Sequence, residues 1–120
     1  MRSKYKAMVL SCMDPRFQHL VYNYLKKKKL IGKYSAFTIA GAAVGITHNK
    51  FKKWHNTFYD NLATSIQLHK IESLIVINHK DCAAAKIANG KQEFSPINEK
   101  KIHQDSFDKL KKEVKKRFPK

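Results

Sequence analysis

The chain has 120 residues, which suits one domain, residues 1–120, with a real core and little to spare. A hydrophobic fraction of 42% with 7 Phe, 5 Tyr and 1 Trp excludes a disordered chain, and no apolar run reaches the roughly 20 residues of a membrane span. The formal net charge of +16 favours incidental contact with polyanions. Lys outnumbers Arg by 22 to 3, however, which argues against specific nucleic-acid recognition, where Arg is preferred.

The basic start from Met1 to Lys6 is followed only by Ala7 to Cys12 as an apolar stretch, too short for a signal peptide, so the expected location is cytoplasmic. Residues 5 to 12 read as a buried strand that ends in a polar turn. Phe17 to Lys29 reads as a helix with Leu20, Tyr24 and Leu25 inward and Gly32 ending it. Ala36 to Ala40 is a second strand, closed by Gly41-Ala42-Ala43. From Asn49 to Lys70, Phe51, Trp54, Phe58, Leu62 and Ile66 recur at helical spacing, a stripe that fits core or a dimer interface. Ser73 to Asn78 is apolar on both faces, as expected of a central strand in a parallel sheet. Ala83 to Ala88 starts a helix, Asn89-Gly90 breaks it, and a loop runs to Pro96. A last helix begins near Asn98, with Phe107, Leu110, Val114 and Phe118 inward. The alternation predicts an α/β fold, a parallel β-sheet with helices on both faces and ligands at the carboxyl ends of the strands.

Chemistry-bearing residues collect at two of those ends. The first strand runs into Cys12-Met13-Asp14-Pro15-Arg16, where alternation lets Cys12, Asp14 and Arg16 share one side. Pro15 keeps Asp14 away from helical angles. The third strand runs into His79-Lys80-Asp81-Cys82, which puts Cys82 at a helix N-terminus that favours a thiolate. The two cysteines lie 70 positions apart, and a disulfide is not expected in a reducing compartment. Two thiolates and one imidazole suit Zn2+, and three protein ligands (Cys12, His79 and Cys82) leave one position open, the mark of a catalytic site. Arg16 can hold the Asp14 carboxylate by a charge-assisted pair. His19, His48, His55, His69 and His103 read as ordinary polar residues.

Ser11-Cys12-Met13-Asp14-Pro15-Arg16-Phe17 and Leu74 through Cys82 resemble the paired signatures of the β-class carbonic anhydrases, and Ala40-Gly41 is similar to that family's Ala-Gly turn. The similarity spans about residues 5 to 88. It implies reversible hydration of CO2 to bicarbonate by zinc-bound hydroxide, with Cys12, His79 and Cys82 as zinc ligands and Asp14 with Arg16 as the catalytic dyad. It also implies a homodimer or larger homo-oligomer, and a second role for Asp14 as a switchable fourth ligand. Hydrolysis of carbonyl sulfide or carbon disulfide on the same zinc is the alternative reaction. A zinc-stabilised basic binding protein without turnover is the alternative class. The sequence departs from the family at Thr38-Ile39, where Arg-Asn is common, and at Ala83-Ala84-Ala85, where glycine commonly follows the second Cys. The family's N-terminal arm, fourth strand and C-terminal extension have no counterpart in it.

Overall fold

A computed structural model describes residues 4–90 and 95–119. The elements run β1 (Ala7–Ser11), α1 (Gln18–Lys27), β2 (Tyr34–Thr38), α2 (Ala43–Thr47), α3 (Lys52–His69), β3 (Ser73–Ile77), α4 (Ala83–Ala88) and α5 (Pro96–Arg117), with single 3-10 turns at Pro15–Phe17 and Asn49–Phe51. The strands form one parallel sheet in the order β2-β1-β3, and helices surround it as the alternation predicts. Most of the loop expected before Pro96 lies outside the described residues. No helix among the described residues is long and apolar enough to cross a membrane.

The central strand is β1, whose five residues are all buried. This corrects the expectation that Ser73 to Asn78 lies in the middle: β3 is an edge strand, and Leu74 to Ile77 are half-buried. An apolar run on both faces reports that both faces are covered. It carries no information about how many neighbours the strand has, because pairing is made through the backbone.

Met8 and Leu10 of β1, with Cys12 just beyond it, join a core shared with Ala43, Val44 and Ile46 of α2, Phe58 and Leu62 of α3, and Leu110 of α5. The α3 stripe is therefore used inside the chain. Phe58 is fully buried, while Phe51 and Trp54 are half-buried and stack on each other at 4.5 Å. Helix α1 departs from expectation, since Leu25 is its one buried residue while Leu20 and Tyr24 are exposed. Its end also falls earlier. Lys29 takes the left-handed position at φ 60°, and the Leu30 N–H closes the cap on the Leu25 carbonyl at 3.0 Å, so Gly32 lies in the turn beyond. Helix α5 starts at Pro96, two residues before the expected Asn98, with the Ser95 hydroxyl accepting from the Asn98 N–H.

Candidate metal centre

Parallel register brings the two distant signatures together. Ser11 pairs with Ile77 at the carboxyl ends of β1 and β3, so the chain leaves both strands side by side, with Cys12 one residue beyond β1 and His79 two beyond β3. Cys82 follows as the N-cap residue of α4. The ligand-type atoms of Cys12, His79 and Cys82 all lie within 4.8 Å of one another. Both thiols are free and buried.

The imidazole is held in one tautomer. His79 Nδ1 lies 2.6 Å from the Lys80 carbonyl oxygen, and a carbonyl only accepts, so Nδ1 carries the proton and Nε2 the lone pair. Phe17 stacks on the ring at 4.2 Å. Nε2 is buried and has no hydrogen-bond partner among the described residues. A buried lone pair beside two thiols is costly unless something takes it up. Two sulfurs and one imidazole nitrogen are a donor set that suits tetrahedral Zn2+, so these residues fit a metal, and Cys12, His79 and Cys82 are the ones that could hold it.

The cysteine pair shares its charge unequally. Hydrogen bonding from Cys82 pulls the Cys12 thiol well down despite burial, aided by the Gly41 N–H, which donates to the Cys12 sulfur at 3.3 Å. Cys82 moves up in response, although the backbone N–H groups of Ala84 and Ala85 at the start of α4 favour its thiolate. The helix N-terminus favours the Cys82 thiolate, but the neighbouring Cys12 and burial outweigh it.

Asp14 lies at the rim. Its Oδ2 is 3.9 Å from His79 Nε2, and Arg16 grips it from several directions: the backbone N–H to Oδ1 at 3.0 Å, Nε to Oδ1 at 3.1 Å and NH2 to Oδ2 at 2.7 Å. Those bonds, led by the side-chain ones, hold the carboxyl down at about 2. The expected pair is therefore present, and it is bidentate.

Other residues build the site without having stood out in the sequence. Arg16 also reaches across to the second signature, donating to Asp81 Oδ2 and to the Asp81 carbonyl, each at 3.0 Å. Asp81 itself sits at φ 55°. Its N–H donates to Glu99 of α5 at 2.7 Å, and its carboxylate also pairs with Lys86. Gln18 Nε2 donates to the carbonyls of Cys12 and Asp14, which pins the turn between them. Asn78 Oδ1 accepts from the Ala43 N–H at 3.0 Å while its Nδ2 donates to His103 Nδ1 and Ser106 Oγ, so it ties the Gly41-Ala42-Ala43 turn to α5. Of these, Asp81 and Asn78 were signalled only by lying inside or beside the second signature. Gln18 carried no signal. His19, His48, His55 and His69 lie outside the triad, as expected. His103 also lies outside it but supports Asn78.

The Gly41 turn is built by close approach. Gly41 has φ 81°, and a Cβ there would meet the Ala84 Cβ and the Gly45 backbone nitrogen, each at 3.1 Å. The alanines after Cys82 thus stand where the helix crosses the turn, with Ala84 and Ala85 buried. Beside His79, an open hollow of about 440 Å3 is lined mainly by apolar side chains, among them Phe17, Leu20, Tyr24, Val76 and Phe107.

Residues 2–116 match the family described as "Putative carbonic anhydrase". Two curated relatives, each named only as an uncharacterized protein, come from Rickettsia conorii and Rickettsia bellii. They are 24% and 25% identical to the chain over 113 residues, 93% of its length. The chain spans 61% of the first relative and 69% of the second. No solved structure matches it with significance. A family match over nearly the whole length, with both signatures meeting at one end of a parallel sheet, means that the chain belongs to this carbonic anhydrase family.

Proposed function

We propose that the chain is a zinc-dependent lyase of the β-carbonic anhydrase type, interconverting CO2 and bicarbonate. One observation carries this reading: Cys12, His79 and Cys82 converge within 4.8 Å, with the Asp14 carboxylate 3.9 Å from His79 Nε2. In this proposal the three converging residues hold Zn2+ and leave one coordination position open. The metal, when bound, supplies Lewis acidity that ionises water around neutral pH. Two thiolates and a neutral imidazole cancel its charge, so neighbouring protein groups have to supply part of that activation.

Asp14 is the hydrogen-bond acceptor at the rim. Its Oδ2 is close enough to the ligand set to take a hydrogen bond from a group bound there. Arg16 is a positioning residue: it keeps Asp14 anionic and restrains the carboxylate from turning onto the metal. Phe17 and the Lys80 carbonyl hold the His79 ring so that Nε2 faces the sulfurs. Three protein ligands with one position left open favour turnover over a purely structural metal.

A single domain over residues 1–120, a cytoplasmic location and a homodimer or larger assembly belong to the same proposal. Support for assembly comes from β3, an unpartnered edge in this sheet, and from the exposed apolar side chains of α1 next to it. Specific nucleic-acid binding and membrane insertion are not part of it.

The test is stopped-flow CO2 hydration on zinc-loaded protein, run beside carbonyl sulfide hydrolysis, with zinc measured by elemental analysis. The expected result is about one zinc per chain and rapid CO2 hydration. Cys12→Ser and Cys82→Ser are expected to lose both zinc and stability. Full zinc with neither reaction at any pH would overturn the enzyme. Faster turnover of carbonyl sulfide would move the substrate assignment to that heterocumulene.

A further inference from the structure

A second concavity lies where α5 faces α2 and the first half of α3, and none of its lining residues belongs to the ligand triad or the Asp14–Arg16 pair. It encloses about 390 Å3. Helix α5 presents Lys109, Lys112 and Lys116 to it, at intervals of three and four that place them on one helix face. The opposite wall includes His55 and Tyr59.

The charge in this cleft is unbalanced. Glu113, the one carboxylate among the described residues lining it, is already engaged: Arg117 Nε donates to its Oε2 at 2.8 Å. The Arg117 guanidinium in turn lies over the Tyr59 ring, 4.2 Å from its centroid. Lys109, Lys112 and Lys116 form no salt bridge among the described residues. Like charges three and four apart on a helix repel each other, and an anion seated among them would reverse the sign of that interaction.

One nearby histidine feels the same positive field: His48 is held below its usual range by burial first and then by Lys109, which lines the cleft, and Lys50.

We infer that this cleft binds a phosphate dianion, free or carried by a small phosphomonoester, with Lys109, Lys112 and Lys116 as the charged contacts. Lysine ammonium groups are compact point charges that suit phosphate oxygens. The volume is at the small end of ligand sites, enough for a phosphate group with a short organic part. A concave site of this size favours a small ligand over the backbone of a nucleic acid, which is tracked by long grooves.

Isothermal titration calorimetry with inorganic phosphate, and separately with glycerol 3-phosphate, tests this at a fixed ionic strength of about 0.15 M. One saturable site per chain is expected. The triple variant Lys109→Gln, Lys112→Gln, Lys116→Gln is expected to weaken binding about tenfold or more. Lys26→Gln, Lys27→Gln, Lys28→Gln at the end of α1 removes the same charge elsewhere and is expected to stay within about twofold. If circular dichroism shows the triple variant unfolded, Lys112→Gln and Lys116→Gln, each made alone, decide, and each is expected to weaken binding. The tighter of the two probes identifies whether the phosphate is free or esterified. Equal losses in the α1 control, no saturation by either probe below about 10 mM, or displacement of phosphate by single-stranded DNA at lower concentration would each overturn the site.

Discussion

Two banks of the candidate metal centre are built by different physics. On one, Asp14, Arg16 and Asp81 are joined by charge-assisted hydrogen bonds on side chains that are partly open to solvent. On the other, Gly41 to Ile46 is a fully buried turn and helix in which small residues let backbone, Cys12 and α4 approach closely. The buried bank carries its own strain, with Ala42 at φ 48° held by bonds from the Ala42 N–H to the Ile39 carbonyl and from the Ala43 N–H to Asn78. Exposed ion pairs contribute little to stability because water screens them, whereas interior packing resists even one added methyl. The charged bank should therefore govern chemistry, and the packed bank should govern whether the site exists.

Gly45→Ala is the sharpest way to break the packed bank. Its Cβ would stand 2.1 Å from the Ala40 carbonyl oxygen, a backbone atom with nowhere to go. The expected cost is about 3 kcal/mol or more, read as a fall in urea midpoint, with zinc uptake lost in parallel. A variant that folds and binds zinc like the parent would show that the turn yields after all.

Asp14→Asn probes the charged bank. The amide keeps the shape of the side chain, but its NH2 end cannot accept a hydrogen bond as a carboxylate oxygen does, and it offers Arg16 no charge. Turnover is expected to fall about 10- to 100-fold, with zinc content and unfolding midpoint close to the parent. Loss of fold together with activity would place Asp14 on the structural side of the comparison.

The smallest effect is a pH dependence next to the packed bank. His48 and His55 are held below their usual range, mainly by burial. The native state therefore binds fewer protons than the unfolded chain as pH falls through about 6.5. Stability rises with pH wherever the unfolded state holds more protons, so their contribution is complete above that range and is lost on acidification. Urea midpoints at about pH 5.5 and about pH 7.5 should differ less in His48→Gln, His55→Gln than in the parent. Lys109, Lys50 and Lys52 steepen the effect, so added salt should flatten it. Identical slopes in both proteins would assign the acid loss elsewhere.

Much of the architecture and of the centre was legible in the amino-acid order because it is local. Strand and helix follow from periodicity, and the ligand-type residues stand where strands end, so Cys12, Asp14, Arg16, His79 and Cys82 could be named before any contact was known. What misled the reading was neighbourhood. Leu20 and Tyr24 sit at positions of an apolar helical face yet lie open beside the unpartnered edge of β3, because hydrophobic spacing states a preference for burial without supplying a surface to cover it.

The sequence by itself determined the alternation of strands and helices, the buried character of β1 and the chemical set of two thiols, one imidazole and an Asp–Arg pair. Tertiary structure alone decided that β1, not β3, is central, and that the Gly41 N–H points at Cys12. It also decided that Arg16 clasps Asp81 and that three lysines of α5 face His55. The reason is one of range. Backbone preference and side-chain period act over a few residues, whereas strand order, glycine-sized approaches and cross-element bonds such as Arg16 to Asp81, 65 residues apart, come into being only when the whole chain packs.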